Sequence, residues 1–97
     1  MRKITNEVVH HGFQVGHKVS KGNTQSTGDA LYLYGNRIAR RHDGKLYISL
    51  CGWDTVTTKE RLNAIYGVDI RRVRGVTMLN GKPWDGNEVC LDDWVSQ

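Results

Sequence analysis

Leu31–Asn63 reads LYLYGNRIARRHDGKLYISLCGWDTVTTKERLN, and its alternation decides the fold. Leu31–Tyr34 alternates aliphatic and aromatic residues, the period of a half-buried strand. Gly35-Asn36 supplies two residues tolerant of positive φ, which suits a two-residue hairpin turn. Arg37–Arg41 returns as a second strand, His42-Asp43-Gly44 turns again, and Lys45–Cys51 alternates once more. The spacing predicts a three-strand antiparallel meander. One strand over Leu31–Arg41 with a bulge at Gly35 competes with it. The change of apolar phase across Gly35-Asn36 favours the meander.

Thr57-Thr58-Lys59-Glu60 matches a capping box, in which the Thr57 hydroxyl accepts from the Glu60 amide and the Glu60 carboxylate reaches back to the Thr57 amide. Leu62, Ile65 and Tyr66 follow at helical spacing, and Gly67 stands where a left-handed C-terminal residue is expected. A helix of about nine residues is marginal alone and must dock on the sheet. Lys59 and Arg61, off the apolar stripe, are expected in solvent.

Val68–Arg74 and Val76–Leu79 read as two further strands joined near Gly75, with Asn80-Gly81 as a turn and Pro83 arguing against a central strand. The expected fold is α+β: a small, open, five-stranded antiparallel sheet in βββαββ order with one short helix packed on one face. Residues 1–29 form an N-terminal segment, with a weak strand candidate at Glu7–Val15 and a polar loop, SKGNTQSTGD, at residues 20–29. The compact α+β domain covers residues 30–86, and residues 87–97 are an acidic C-terminal tail. The stretch around Trp94 reads equally as a last strand or a docked tail.

The chain has 97 residues, 38% of them hydrophobic, with a single proline, which suits one small folded domain. No apolar run approaches a membrane span, and the N-terminus lacks the apolar core of a secretion signal. A soluble intracellular protein with Cys51 and Cys90 reduced and partly buried is the expectation. Residues 1–84 hold all 14 Lys and Arg against six Asp and Glu, a surplus of eight cations. Residues 85–97 hold Asp85, Glu88, Asp92 and Asp93 with no Lys or Arg. A basic body invites a polyanion. The acidic end can fold back over basic residues, compete with that polyanion, or lie in solvent, and the sequence leaves the three open.

Period-two geometry puts Leu31, Leu33, Ile38, Leu46, Ile48 and Leu50 on one side of the meander. Tyr32, Tyr34, Arg37, Arg41, Lys45 and Tyr47 fall on the other, with Arg40 close by at the strand end. Rings exposed on a sheet can stack bases, and neighbouring cations can neutralise phosphates. Single-stranded RNA is the most compatible ligand, because its bases are available for stacking. Arg71, Arg72 and Arg74 form a second basic run that would extend the track. A protein-binding face and a merely solvated one remain alternatives, since tyrosine and arginine suit any exposed strand.

Other constellations point away from catalysis. His10, His11, His17 and His42 match no metal signature and read as surface histidines, and no metal or cofactor is expected. Cys51 reads as a small apolar residue at a strand end rather than a nucleophile. No glycine-rich phosphate loop, catalytic carboxylate pair or nucleophile elbow is present, so no catalytic residue is assigned. Trp53 and Trp84 are expected to close the ends of the core, and Trp94 is left open as an interface anchor.

Leu31-Tyr32-Leu33 with Gly35-Asn36 and Ile38-Ala39, Gly52-Trp53, Thr57-Thr58-Lys59-Glu60-Arg61-Leu62-Asn63, and Asn80-Gly81-Lys82 with Trp84-Asp85-Gly86 together resemble a family of small proteins encoded by tailed bacteriophages. The resemblance covers about residues 31–86 and is most specific at the TTKERLN string. It implies a viral protein of the infected bacterial cytoplasm and carries no catalytic residues over. The expectation is a non-enzymatic phage accessory protein that binds RNA through its tyrosine- and arginine-rich face, countering a host defence or an RNA-acting toxin. The alternative is a protein inhibitor that blocks a host enzyme or defence factor. Exposed sheet edges also allow a homodimer.

Overall fold

The fold starts from its turns. Tyr34 and Gly35 both have positive φ, 52° and 79°, so the first hairpin turns on this pair and not on Gly35-Asn36. Glycine accepts that geometry freely, whereas tyrosine adopts it at a cost. The computed structural model describes residues 5–52 and 55–95.

Two antiparallel sheets result. The larger runs β1 (Lys18–Lys21), β2 (Thr24–Thr27), β3 (Ala30–Leu33), β4 (Asn36–His42), β5 (Lys45–Ile48) and, after a long excursion, β9 (Val89–Cys90). The excursion holds α1 (Val56–Asn63) and the smaller sheet of β6 (Ile70–Val73), β7 (Val76–Leu79) and β8 (Lys82–Pro83). A second short helix, α2 (Leu91–Val95), follows β9. The class is α+β, mostly sheet. The expected single five-stranded sheet is replaced by these two.

The N-terminal third departs most from expectation. Residues 18–27 form the β1–β2 hairpin, with Lys18 opposite Thr27 and Lys21 opposite Thr24, and so take up most of the polar loop expected at residues 20–29. The inward residues of β2, Thr24 and Ser26, are polar but satisfied, and Val19 of β1 packs beside them against the core. Ser26 Oγ donates to the His17 carbonyl at 2.8 Å and accepts from the Gly28 amide at 3.1 Å. Glu7–Val15 is not a strand either: Thr5–His10 is a π-helical turn and Phe13–Val15 a 3-10 turn. Gly12 lies between them because a side chain there would strike the Val8 carbonyl, 2.4 Å from the Cβ position.

One core joins all of this. Val8, Val9 and Phe13 from the N-terminus cluster with Leu31, Leu33, Ile38, Ala39 and Ile48 of the larger sheet. Leu62, Ile65, Ile70, Leu79, Trp84 and Leu91 belong to the same cluster. Apolar burial therefore ties the chain from Val8 to Leu91, and the larger sheet begins at Lys18.

Local expectations around α1 also shift. The cap is Thr55, whose side chain accepts from the Thr58 amide at 3.2 Å, in place of the Thr57–Glu60 box. The helix ends at Asn63, so Tyr66 leaves the apolar stripe and is 87% exposed. Arg61, expected in solvent, is 1% exposed. No helix among the described residues is long and apolar enough to cross a membrane. Trp84 is buried, as expected, and its Nε1 donates to the Asn87 carbonyl at 2.9 Å. Trp53 lies outside the described residues.

Candidate nucleic-acid interface

Cross-strand pairing assigns each side chain of the larger sheet to a face. Asn36 pairs with Leu33, and Arg37 with Tyr32. The register then slips: Leu31 pairs with Ala39 and Ala30 with Arg40, leaving Ile38 as an extra residue in β4. Ile38 and Ala39 are both buried, 1% and 2% exposed, which is what a bulge does to alternation. Two consecutive residues turn inward, and the phase beyond them inverts.

That inversion rearranges the expected binding face. Arg37 and Arg40, three apart, lie on the same outer side, with Tyr32, Tyr47 and Lys45. One row across the sheet reads Gln25, Tyr32, Arg37. The next reads Ala30, Arg40, Tyr47, Cys90, and His42 pairs with Lys45 beyond it. Leu31, Leu33, Ala39 and Ile48 occupy the opposite, core side.

Arg41 moves to the core side. Its guanidinium lies 4.1 Å from the centroid of the Phe13 ring and donates to the Phe13 carbonyl. Burial lowers its pKa from the ordinary value, against a smaller upward pull from Asp29. Tyr34 leaves the strand altogether: it sits in the turn, 72% exposed, on the rim of a cleft of about 270 Å³ that Leu33, Ile38 and Thr58 also line. Arg71, Arg72 and Arg74 belong to the smaller sheet. Arg71 pairs with Met78 and Arg72 with Thr77, so they point to opposite faces, and Arg74 is in the hairpin turn. They do not continue the tyrosine face as one track.

The central side chains of the face are organised. The Arg40 guanidinium lies 4.2 Å from the centroid of the Tyr47 ring. It also forks onto Glu88, with Nη2 to Oε1 at 2.8 Å and Nε to Oε2 at 3.3 Å. The hydrogen bond to Glu88 raises the Arg40 pKa, and the same bond holds the Glu88 carboxyl below its ordinary 4.5. The acidic end thus folds back on the sheet. Lys45 Nζ stands 4.0 Å from Asp93, and the Trp94 indole donates to the Leu79 carbonyl at 2.8 Å.

The sequence missed three members of this surface: Lys18, Gln25 and Glu88. Gln25 was hidden in the apparent polar loop, whose only strand signal is the threonine pair Thr24 and Thr27, and Lys18 stands just before that loop in the N-terminal segment. Glu88 carried no local signal at all. Among the described residues no group of three His, Cys, Asp or Glu is placed to hold a metal ion. His10 is half-buried, with its Nε2 enclosed and unbonded, and is not the surface histidine expected. Cys51 and Cys90 are free and half-buried.

A family model described as Kyanoviridae Gp96 protein matches residues 1–96, and so takes in the N-terminal segment and the acidic end as well as the motifs between them. No curated protein and no solved structure matches the chain.

Proposed function

The chain belongs to the Kyanoviridae Gp96 protein family, a family of bacteriophage proteins, and on that footing we propose that it is a non-enzymatic accessory factor binding single-stranded RNA across the outer face of its larger sheet. One observation carries this reading: the bulge at Ile38 sets Arg37 and Arg40 on the same side as Tyr32 and Tyr47. Bases can stack on the two rings at ~1–3 kcal/mol each, while the guanidiniums take phosphates. Unpaired bases are needed for this, which favours a single strand over a duplex. Its place of action would be the infected bacterial cytoplasm, where an RNA-binding phage factor can blunt an RNA-acting toxin.

The test is fluorescence anisotropy of a labelled oligouridine against a salt series. Affinity is expected to fall linearly on logarithmic axes, by about 0.7 per phosphate contacted. Undetectable binding at low salt, or binding indifferent to salt, overturns the proposal.

A second reading is favoured by the β6–β7 hairpin. Val73 and Val76 stand opposite each other, 49% and 47% exposed, beside Arg71 and Arg74. An apolar tip ringed by cations suits insertion into an acidic groove of a host enzyme. One stoichiometric host protein recovered from nuclease-treated lysate, and lost with Val73→Ser, supports it; recovery unaffected by that change removes it.

A further inference from the structure

Arg40 already holds an anion. Both oxygens of Glu88 face its guanidinium, at 2.8 and 3.3 Å, and the same guanidinium rests on the Tyr47 ring. The placement follows from the register of β9. Val89 pairs with Ile48 on the core side, so Glu88 before it and Cys90 after it face outward, and Cys90 pairs with Tyr47. A strand of two residues is enough to bring the carboxylate to the middle of the basic face. The two oxygens of a phosphodiester match the guanidinium fork as a carboxylate does.

We propose that Glu88 is a built-in stand-in for a nucleic-acid phosphate, and that a strand reaches Arg40 only by displacing it. This rests on the RNA-binding reading above and adds its regulation. The pair is exposed, with 27% of the Arg40 and 42% of the Glu88 side chain accessible, so displacement costs little. It still sets a threshold. A polyanion that offers charge alone must replace Glu88 at Arg40 with no other gain. A single strand also gains stacking on Tyr32 and Tyr47. Glu88 therefore lowers the affinity of every ligand that takes Arg40, and a ligand with stacking to add still binds above that threshold.

The experiment uses the full chain, with labelled oligouridine and inorganic polyphosphate as the two probes. Glu88→Gln is expected to tighten oligouridine about two- to fivefold at low ionic strength, the range of an exposed ion pair. Its logarithmic salt dependence should steepen by about 0.7, one more phosphate contact. Polyphosphate should gain by a similar factor, because it must displace the same carboxylate to reach Arg40. In an Arg40→Gln background, Glu88→Gln should add nothing. Circular dichroism checks that each variant keeps the fold. If wild type binds oligouridine and Glu88→Gln changes neither probe, the mask is overturned and the RNA reading survives. If oligouridine binds no variant while polyphosphate tightens on Glu88→Gln, the phosphate site stands and the RNA reading falls. If neither probe responds to any variant, both are overturned.

Discussion

Arg61 Nε donates to Thr24 Oγ1 across 3.0 Å, and both side chains are almost wholly withdrawn from water. The bond joins α1 to β2 over 37 residues. It explains two departures from the sequence at once. Thr24, in an apparent polar loop, is the acceptor a buried guanidinium needs, and Arg61, off the apolar stripe, is an interior residue. The guanidinium also meets the Glu60 carboxylate beside it.

Thr24→Val keeps the shape and removes the acceptor. Burying the Arg61 Nε without it should cost about 1–3 kcal/mol. A urea denaturation midpoint lowered with unchanged slope checks this. An unchanged midpoint means that other contacts of Arg61 suffice.

Tyr32→Ala and Tyr47→Ala should each weaken oligouridine binding by ~1–3 kcal/mol, a factor of roughly five to 150. Arg41→Ala should leave binding alone and lower stability by about 1–2 kcal/mol, since its guanidinium stacks on Phe13 inside the fold. Anisotropy and thermal melting on the three variants separate the roles. Equal loss of binding in Arg41→Ala would contradict the assignment of faces.

Tyr34→Asn should stabilise the protein. Tyr34 adopts φ of 52° in the β3–β4 turn, a conformation that asparagine tolerates far better. Relief of about 1 kcal/mol is expected, read as a higher melting temperature. A lower one would show that the phenol ring, on the rim of its cleft, contributes more than its backbone costs.

The Glu88 carboxyl should titrate below 4.5, chiefly through its hydrogen bond to Arg40. Because the folded value lies under the unfolded one, the contact contributes above the unfolded pKa. It is lost as pH falls through the folded value, so the pair is intact at neutral pH. Arg40→Gln should raise the midpoint, followed by NMR at the Glu88 carboxyl carbon. A midpoint that stays put would show that the Arg40 bond is not its cause.

Much was legible in the residues themselves. The alternation of Leu31–Leu33 and Lys45–Ile48 and the Asp43-Gly44 and Asn80-Gly81 turns required an antiparallel meander and a following hairpin, because period and turn chemistry act between neighbours. The placement of Tyr32, Arg37, Lys45 and Tyr47 on one side followed from the same local rule. The tertiary structure decided the rest. The bulge at Ile38 brought Arg40 outward and sent Arg41 inward; it answers to packing between strands, where burying two consecutive apolar residues outweighs one regular pairing. The strands at residues 18–27, the burial of Arg61 and the arrival of Glu88 at Arg40 each depend on a partner at least 37 positions away or on the shared core. Such distant contacts leave no mark on local composition, because what stabilises them is satisfied polar burial and charge pairing that exist only once the chain has closed.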